Sequence, residues 1–307
     1  MKACIDIGGT KVAVSLNTGE GLELLARRSE PTAKTGGHVA LARQVIRMVD
    51  EACAEAGTDP AQVQRAGVAS AGPFVLRAGL VELASPNICG GLAGPARGLP
   101  NDWQTATLEA PLRERFTEVR VENDCIAALE AERRWGALQG YTDCAYVTWS
   151  TGVGTGLCVD GRVLRGKNGN AGHGGHMFVS DNDDALCGCG NIGDLEALVA
   201  GNAVARRFGA DAATLLQHAR AGDPQAVERV DGMCRNMGRA LYNMTVILDL
   251  QRISIGGSVF SNNQEYLLPR LQAQLAGKMP ALTDGCELVA AGLGDRVGDY
   301  AALALIG

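Results

Sequence analysis

Between residues 168 and 196 the chain places His173, His176, Cys187, Cys189 and Asp194 in a short, glycine-studded run. A Cys-x-Cys pair, an acid five positions on and a histidine upstream supply thiolate, carboxylate and imidazole. Those are donors with which Zn²⁺ closes a tetrahedral shell. Four protein ligands leave no open position, so the pattern predicts a structural ion rather than a catalytic one. The glycines serve the same end, because a loop folding back on one ion needs residues at positive φ.

A second chemistry is phosphate binding. Asp6-Ile7-Gly8-Gly9-Thr10-Lys11 ends one apolar run, 3–7, and opens another, 12–16. Strand, Gly-Gly-Thr turn and strand make a hairpin whose backbone N–H groups approach a phosphate closely. Asp6 then stands at the mouth, placed to hold Mg²⁺ directly or through water. The design recurs where the apolar run 145–149 ends in Ser150-Thr151-Gly152-Val153-Gly154-Thr155-Gly156, ahead of a further run at 157–159. A third glycine turn, Gly256-Gly257-Ser258, ends the run 252–255 after a helical pattern from about 226 to 248, and suits contact with a nucleoside or its phosphates. No GxxxxGK[ST] leads into a helix, which excludes a Walker P-loop. Two such hairpins are what a duplicated pair of halves clasping one nucleotide looks like.

The catalytic candidate is Asp124, where a short strand at 119–122 turns through Asn123 into a helical stretch, 125–135. An aspartate there serves as a helix N-cap. Beside two phosphate turns it gains a second role, because phosphoryl transfer to an alcohol needs a carboxylate to take the hydroxyl proton. Asn123 offers hydrogen bonds to a polyol. Ser70-Ala71-Gly72-Pro73 and Ser85-Pro86-Asn87 are polar turns after strand-like runs, and Ser70, Gly72 and Asn87 suit sugar hydroxyls.

Composition bounds these readings. The chain has 307 residues, 46% hydrophobic and 20% charged, which is ordinary for a soluble globular protein of one large or two medium domains. A net charge of −6 argues against a nucleic-acid or anionic-membrane partner. The ten cysteines lack framework spacing, and the chain enters a strand without a signal sequence, so a reducing cytoplasm is expected. No apolar run approaches the ~20 residues of a membrane span.

Taken in order, DIGGTK, SPN, END, STGVGTG, AGHGGH, CGCGNIGDLE and ISIGGS resemble the ROK family, which comprises sugar kinases, related repressors and relatives of unknown role. The resemblance runs essentially the whole length. It implies an α/β, two-domain actin-like ATPase (ribonuclease H-like) fold with an interdomain cleft. It further implies ATP and Mg²⁺, a hexose substrate and a homodimer. By resemblance Asp6, Gly8, Gly9, Thr10 and Lys11 form the first phosphate loop, and Ser150, Thr151, Gly152 and Gly154 the second. Gly256 and Gly257 fall on the nucleotide side, Asp124 at the general base and Asn123 at a sugar-binding asparagine. His176, Cys187 and Cys189 fall on the family's zinc ligands, with Asp194 where the family has a third cysteine. His173 stands where the family has a sugar-contacting glutamate, and His176 is counted on the sugar side as well.

The implied domains are 1–121 plus a returning helix at 297–307, and 122–296 with the zinc-type loop 168–196. Helices are expected at 37–56 and 108–116, a strand at 66–69, and a mobile loop at 89–101 near the sugar. The leading function is ATP-dependent phosphorylation of a hexose at its C6 hydroxyl, glucose first. The alternatives are N-acetylmannosamine, N-acetylglucosamine, fructose or another hexose as acceptor. A different class is a non-catalytic sugar sensor or ROK-type repressor. Repressors carry a helix-turn-helix ahead of the first phosphate loop, which here starts at Asp6, and the intact Asp124 speaks for catalysis.

Overall fold

The computed structural model describes residues 1–19, 21–90, 98–181 and 185–307. Of the loop expected at 89–101, residues 91–97 lie outside the described residues. The chain divides into two compact units: unit 1 is Met1–Ala131, Arg165–Ala171 and Arg296–Gly307, and unit 2 is Glu132–Leu164 and Gly172–Asp295.

Unit 1 opens with β1 (Lys2–Ile7), β2 (Lys11–Asn17), β3 (Leu24–Pro31) and α1 (Ala40–Glu55). There follow β4 (Arg65–Ser70), β5 (Phe74–Arg77), β6 (Leu80–Leu83), β7 (Ala106–Thr107), α2 (Glu109–Arg115), β8 (Glu118–Asn123) and α3 (Asp124–Trp135), which enters unit 2 at Glu132. The main sheet runs β3-β2-β1-β4-β8, with β1, β4 and β8 parallel and β2 and β3 antiparallel. Its inner strands are apolar on both faces because both are covered. Leu41, Val45, Met48, Val49 and Ala52 form the buried stripe that α1 lays against the sheet. The helix Val297–Ala304 packs on β1 and β4. A Cβ on Gly67, mid-β4, would stand 2.1 Å from the Ala302 carbonyl oxygen, so only glycine lets the helix lie this close.

Unit 2 contains β9 (Cys144–Trp149), β10 (Val153–Val159), β11 (Arg162–Val163), α4 (Leu195–Val199), α5 (Gly201–Phe208), α6 (Ala212–Arg220) and α7 (Pro224–Leu248). It continues with β12 (Arg252–Gly256), α8 (Ser258–Ser261), α9 (Gln264–Leu275), α10 (Pro280–Thr283) and β13 (Glu287–Ala290), and the chain then returns to unit 1 with α11 (Val297–Ala304). The sheet order is β11-β10-β9-β12-β13, again two antiparallel strands followed by parallel ones. α7 starts where Asp223 accepts the Ala226 N–H at 2.7 Å, with Pro224 at its first turn. Val230, Met233, Met237, Leu241 and Met244 carry its buried stripe.

The strand–turn–strand expectations hold at both hairpins, with one correction. The second turn is Ser150–Gly152 alone, and β10 already begins at Val153, so Gly154 sits in the ladder opposite Thr148. Burial of Val153 and Thr155 starts the strand early.

Candidate active site

In unit 1 the register sets Ile7, Ser70 and Asn123 side by side at the carboxyl ends of three parallel strands. Ligands of open α/β sheets bind beyond such ends. Directly after them come Gly8–Gly9–Thr10, Ala71–Gly72 and Asp124. The Gly8 N–H donates to the Lys11 carbonyl at 2.8 Å, closing the first turn. Thr32 then pins it, its hydroxyl donating to Gly8 O at 2.7 Å and its N–H to Thr10 O at 3.1 Å. A Cβ on Gly9 would stand 2.6 Å from Asn87 Cβ, so glycine admits Asn87 against the turn. Asp6, Gly8, Gly9, Thr10, Lys11, Ser70, Gly72, Asn87, Asn123 and Asp124 therefore fall at one end of one sheet.

Asn123 and Asp124 share a task. The Cys125 N–H is accepted by Asn123 Oδ1 at 3.0 Å and by Asp124 Oδ1 at 2.8 Å. The strand ends at Asn123, so Asn123 takes the cap position and Asp124 is the first helical residue. Burial pushes the Asp124 carboxyl above the usual carboxylate range, against the pull of hydrogen bonds from Cys125 and Asn123. Asp6 is pushed up to about 6, first by burial and then by the Asp124 charge, while Lys11 pulls it down. The Asp124 charge thus reaches Asp6, an arrangement suited to a cation and to proton acceptance.

In unit 2, Gly256 pairs with Thr148, bringing the third glycine turn beside the second. Gly257 has φ +88, and a Cβ there would stand 2.6 Å from the Trp149 carbonyl oxygen. Ser150 Oγ and Ser258 Oγ lie 2.9 Å apart. The Ser150 N–H donates to Gly152 O at 2.9 Å, and Ser150 O accepts the Gly201 N–H at 2.8 Å, fastening the turn to α5. Ser150, Thr151, Gly152, Gly256 and Gly257 are together. Gly154, in β10, is level with Gly256, since both pair with Thr148.

The metal-type residues converge too. His176 Nδ1 or Nε2, the two Sγ atoms of Cys187 and Cys189, and an Asp194 oxygen lie within 4.8 Å of one another. Asp194 Oδ2 is 3.1 Å from His176 Nδ1 and accepts the Cys189 thiol at 3.5 Å, and Cys187 Sγ is 3.9 Å from His176 Nδ1. A tetrahedron with bonds of about 2.0–2.3 Å has edges of roughly 3.3–3.8 Å, so groups as near as 3.1 Å and no more than 4.8 Å apart need only small shifts to share one ion. Asp194 is fully buried and works twice, since its Oδ1 caps α4 by accepting the Ala197 N–H at 2.8 Å. Burial pushes its carboxyl up, but hydrogen bonds from His176, Ala197 and Cys187 outweigh this and hold it below the usual range. Burial pushes the Cys187 thiol up, and the Asp194 hydrogen bond holds His176 above the usual imidazole range.

The loop glycines do more than turn the chain. Gly172 has φ +87, but Gly175 does not need a positive φ; a Cβ on it would stand 2.2 Å from Val153 O. Together they let 172–175 lie flat on β10, where the Thr155 N–H and hydroxyl both donate to Gly172 O. His173 is half-buried, its ring centroid 6.2 Å from that of His176. Glu196 is a residue of this site that sequence reasoning misses. Its Oε2 accepts the Val153 N–H at 3.0 Å and its Oε1 the Cys187 thiol at 3.8 Å, tying the metal loop to the second turn. In the sequence it is only an acid in a helix's first turn, a common placement that announces nothing.

The family model described as "ROK family" matches residues 2–307. The chain belongs to the ROK family. A glucokinase of Aeropyrum pernix is 30% identical, covering 98% of this chain and 95% of its own length. An N-acetylmannosamine kinase of Escherichia coli is 33% identical over 83% of this chain and 82% of its own. The crystal structure of a ROK hexokinase from Thermus thermophilus is 32% identical with a TM-score of 0.76, covering 99% of this chain and 97% of that one. This ROK protein is accordingly a sugar kinase on the two-domain actin-like ATPase fold, and its relatives imply ATP and a divalent metal ion. Among the described residues no helix is long and apolar enough to cross a membrane.

Proposed function

We propose that this ROK kinase transfers the γ-phosphoryl group of ATP to the C6 hydroxyl of a hexose, glucose first among its acceptors, with Asp124 as general base. The observation that carries the reading is the Asp124 carboxylate at the end of β8. Burial raises it above the usual carboxylate range, which makes it a stronger base, and it stands among Ser70, Asn123 and the Gly8–Thr10 turn. Asp124 accepts the proton of the attacking hydroxyl while Asn123 orients it. In unit 1 the backbone N–H groups of the Gly8–Thr10 turn and Lys11 hold phosphate oxygens, and Ser70, Gly72 and Asn87 contact sugar hydroxyls; in unit 2 the Ser150–Gly152 and Gly256–Gly257 turns hold phosphate oxygens, and His173 contacts sugar hydroxyls. Mg²⁺ at Asp6, directly or through water, supplies neutralisation of the phosphate charge. His176, Cys187, Cys189 and Asp194 suit a structural Zn²⁺ by donor type and spacing. Ten cysteines without a disulfide support a reducing cytoplasm, and a homodimer completes the reading.

A second acceptor, N-acetylmannosamine, is favoured by the relative of that activity and by His173. A neutral imidazole presents one donor and one acceptor where a carboxylate presents two acceptors. ADP release with ATP and Mg²⁺ over glucose, mannose, fructose, N-acetylglucosamine and N-acetylmannosamine tests both. Glucose turnover that falls by about 10³-fold or more in Asp124→Asn, with sugar binding retained, is the expected result. Full turnover in that variant removes Asp124 as the base, and turnover confined to N-acetylmannosamine moves the substrate.

A further inference from the structure

Four arginines line one cavity of ≈ 380 Å³ on unit 2, well apart in sequence from the glycine turns. Arg207 lies in the last turn of α5, and Arg229, Arg235 and Arg239 come from α7. The spacing on α7 puts Arg235 and Arg239 one turn apart on the same side of the helix. Gly232, about one turn before Arg235, has no side chain to fill the cavity floor.

The Phe208 ring meets two of these cations, with the Arg207 and Arg229 guanidinium carbons each 4.9 Å from its centroid. Two further constraints hold the set in place. Arg207 donates to Leu198 O at 2.7 Å and Arg239 to Val179 O at 2.8 Å, so a backbone carbonyl orients each. Among the described residues that line the cavity, one is an acid, Glu228. In a chain of net charge −6 this is a local excess of cations, and guanidinium groups match phosphate oxygens in geometry as well as charge.

We propose that this groove binds a small phosphorylated molecule carrying two or more negative charges, at a site separate from the glycine turns. The cavity volume suits a small ligand rather than a long polyanion. The ligand bears on the metal loop, because Arg239 holds Val179 O while the Val179 N–H donates to Gly193 O, one residue before Asp194. The proposal is independent of the acceptor sugar and of Asp124.

Isothermal titration with inorganic pyrophosphate, glucose 6-phosphate and linear polyphosphate tests it, on wild type and on the double variant Arg229→Glu/Arg235→Glu. The expected result is a binding step for pyrophosphate and glucose 6-phosphate that weakens at least tenfold in the variant and with added salt, while KM for ATP changes less than twofold. Equal binding by variant and wild type overturns the proposal, because the anions then bind elsewhere. Affinity rising steadily with polyphosphate length overturns the small-molecule assignment. A variant that fails to fold is replaced by Arg235→Gln, whose side chain is exposed, with the same two outcomes.

Discussion

Asp6 and Asp124 show how two ordinary carboxyl groups become reactive by placement. The folded pKa of Asp6 is about 6 against an ordinary 3.8, so the folded state binds the proton more tightly than the unfolded chain. Stability therefore falls as pH rises from about 4 to about 6 and stays lower above that window. Asp6→Asn removes this cost and is expected to raise stability at pH 8 by about 1–3 kcal/mol. The gain should shrink towards zero near pH 4, measured by denaturant unfolding across pH. A gain that is the same at pH 4 and pH 8 would show that ionisation of Asp6 is not its cause. The Asp124 charge is one reason Asp6 is raised, so in Asp124→Asn the Asp6 carboxyl should titrate lower, followed by carboxyl-carbon NMR. An unmoved titration would separate the two groups.

At the scale of elements, the hairpins and the strand-to-helix turn at Asn123 are legible in the sequence because each is local: apolar runs end in small residues, and backbone geometry follows. The metal loop is legible by donor type, but its support is not. Gly175 is required by contact with Val153, Glu196 joins the loop to the second turn, and Asp194 caps α4, and none of these has a sequence spacing that announces it. The small sheet β5-β6-β7 is equally hidden, since its strands are two to four residues long and, among the described residues, pair only with one another. The double role of Asp194 gives a prediction. On the proposed zinc site, Asp194→Cys should bind zinc as wild type does, by metal analysis, because thiolate is a zinc ligand. After chelation it should be less stable than chelated wild type by about 1 kcal/mol, the worth of the lost cap. Equal stability of the two chelated proteins would deny the cap any part in holding the loop.

At the scale of the whole chain, the two sheets repeat one strand order, which the recurrence of a glycine hairpin foreshadows. What the sequence hides is which distant segments complete each unit. Asn170 is one example: its side chain accepts the Phe74 N–H at 2.7 Å and donates to Phe74 O at 2.8 Å, copying a strand edge across a long sequence separation. Gly67 is another, meaningful only beside Ala302. Gly67→Ala should cost about 1–3 kcal/mol in denaturant unfolding, because the added carbon meets a backbone carbonyl that cannot rotate away. Unchanged stability would mean that α11 shifts freely on the sheet.

The same contact orders events during synthesis. Domains generally fold as units, the earlier one first, as the chain leaves the ribosome. Here β1 and β4 emerge early, yet the helix that covers them lies at Val297–Ala304. The unit begun first is thus finished last, and its sheet stays partly bare while the whole of unit 2 is being made. A nascent chain halted before residue 296 would carry that apolar surface exposed, so the interval before α11 docks is the one in which this surface is open to aggregation.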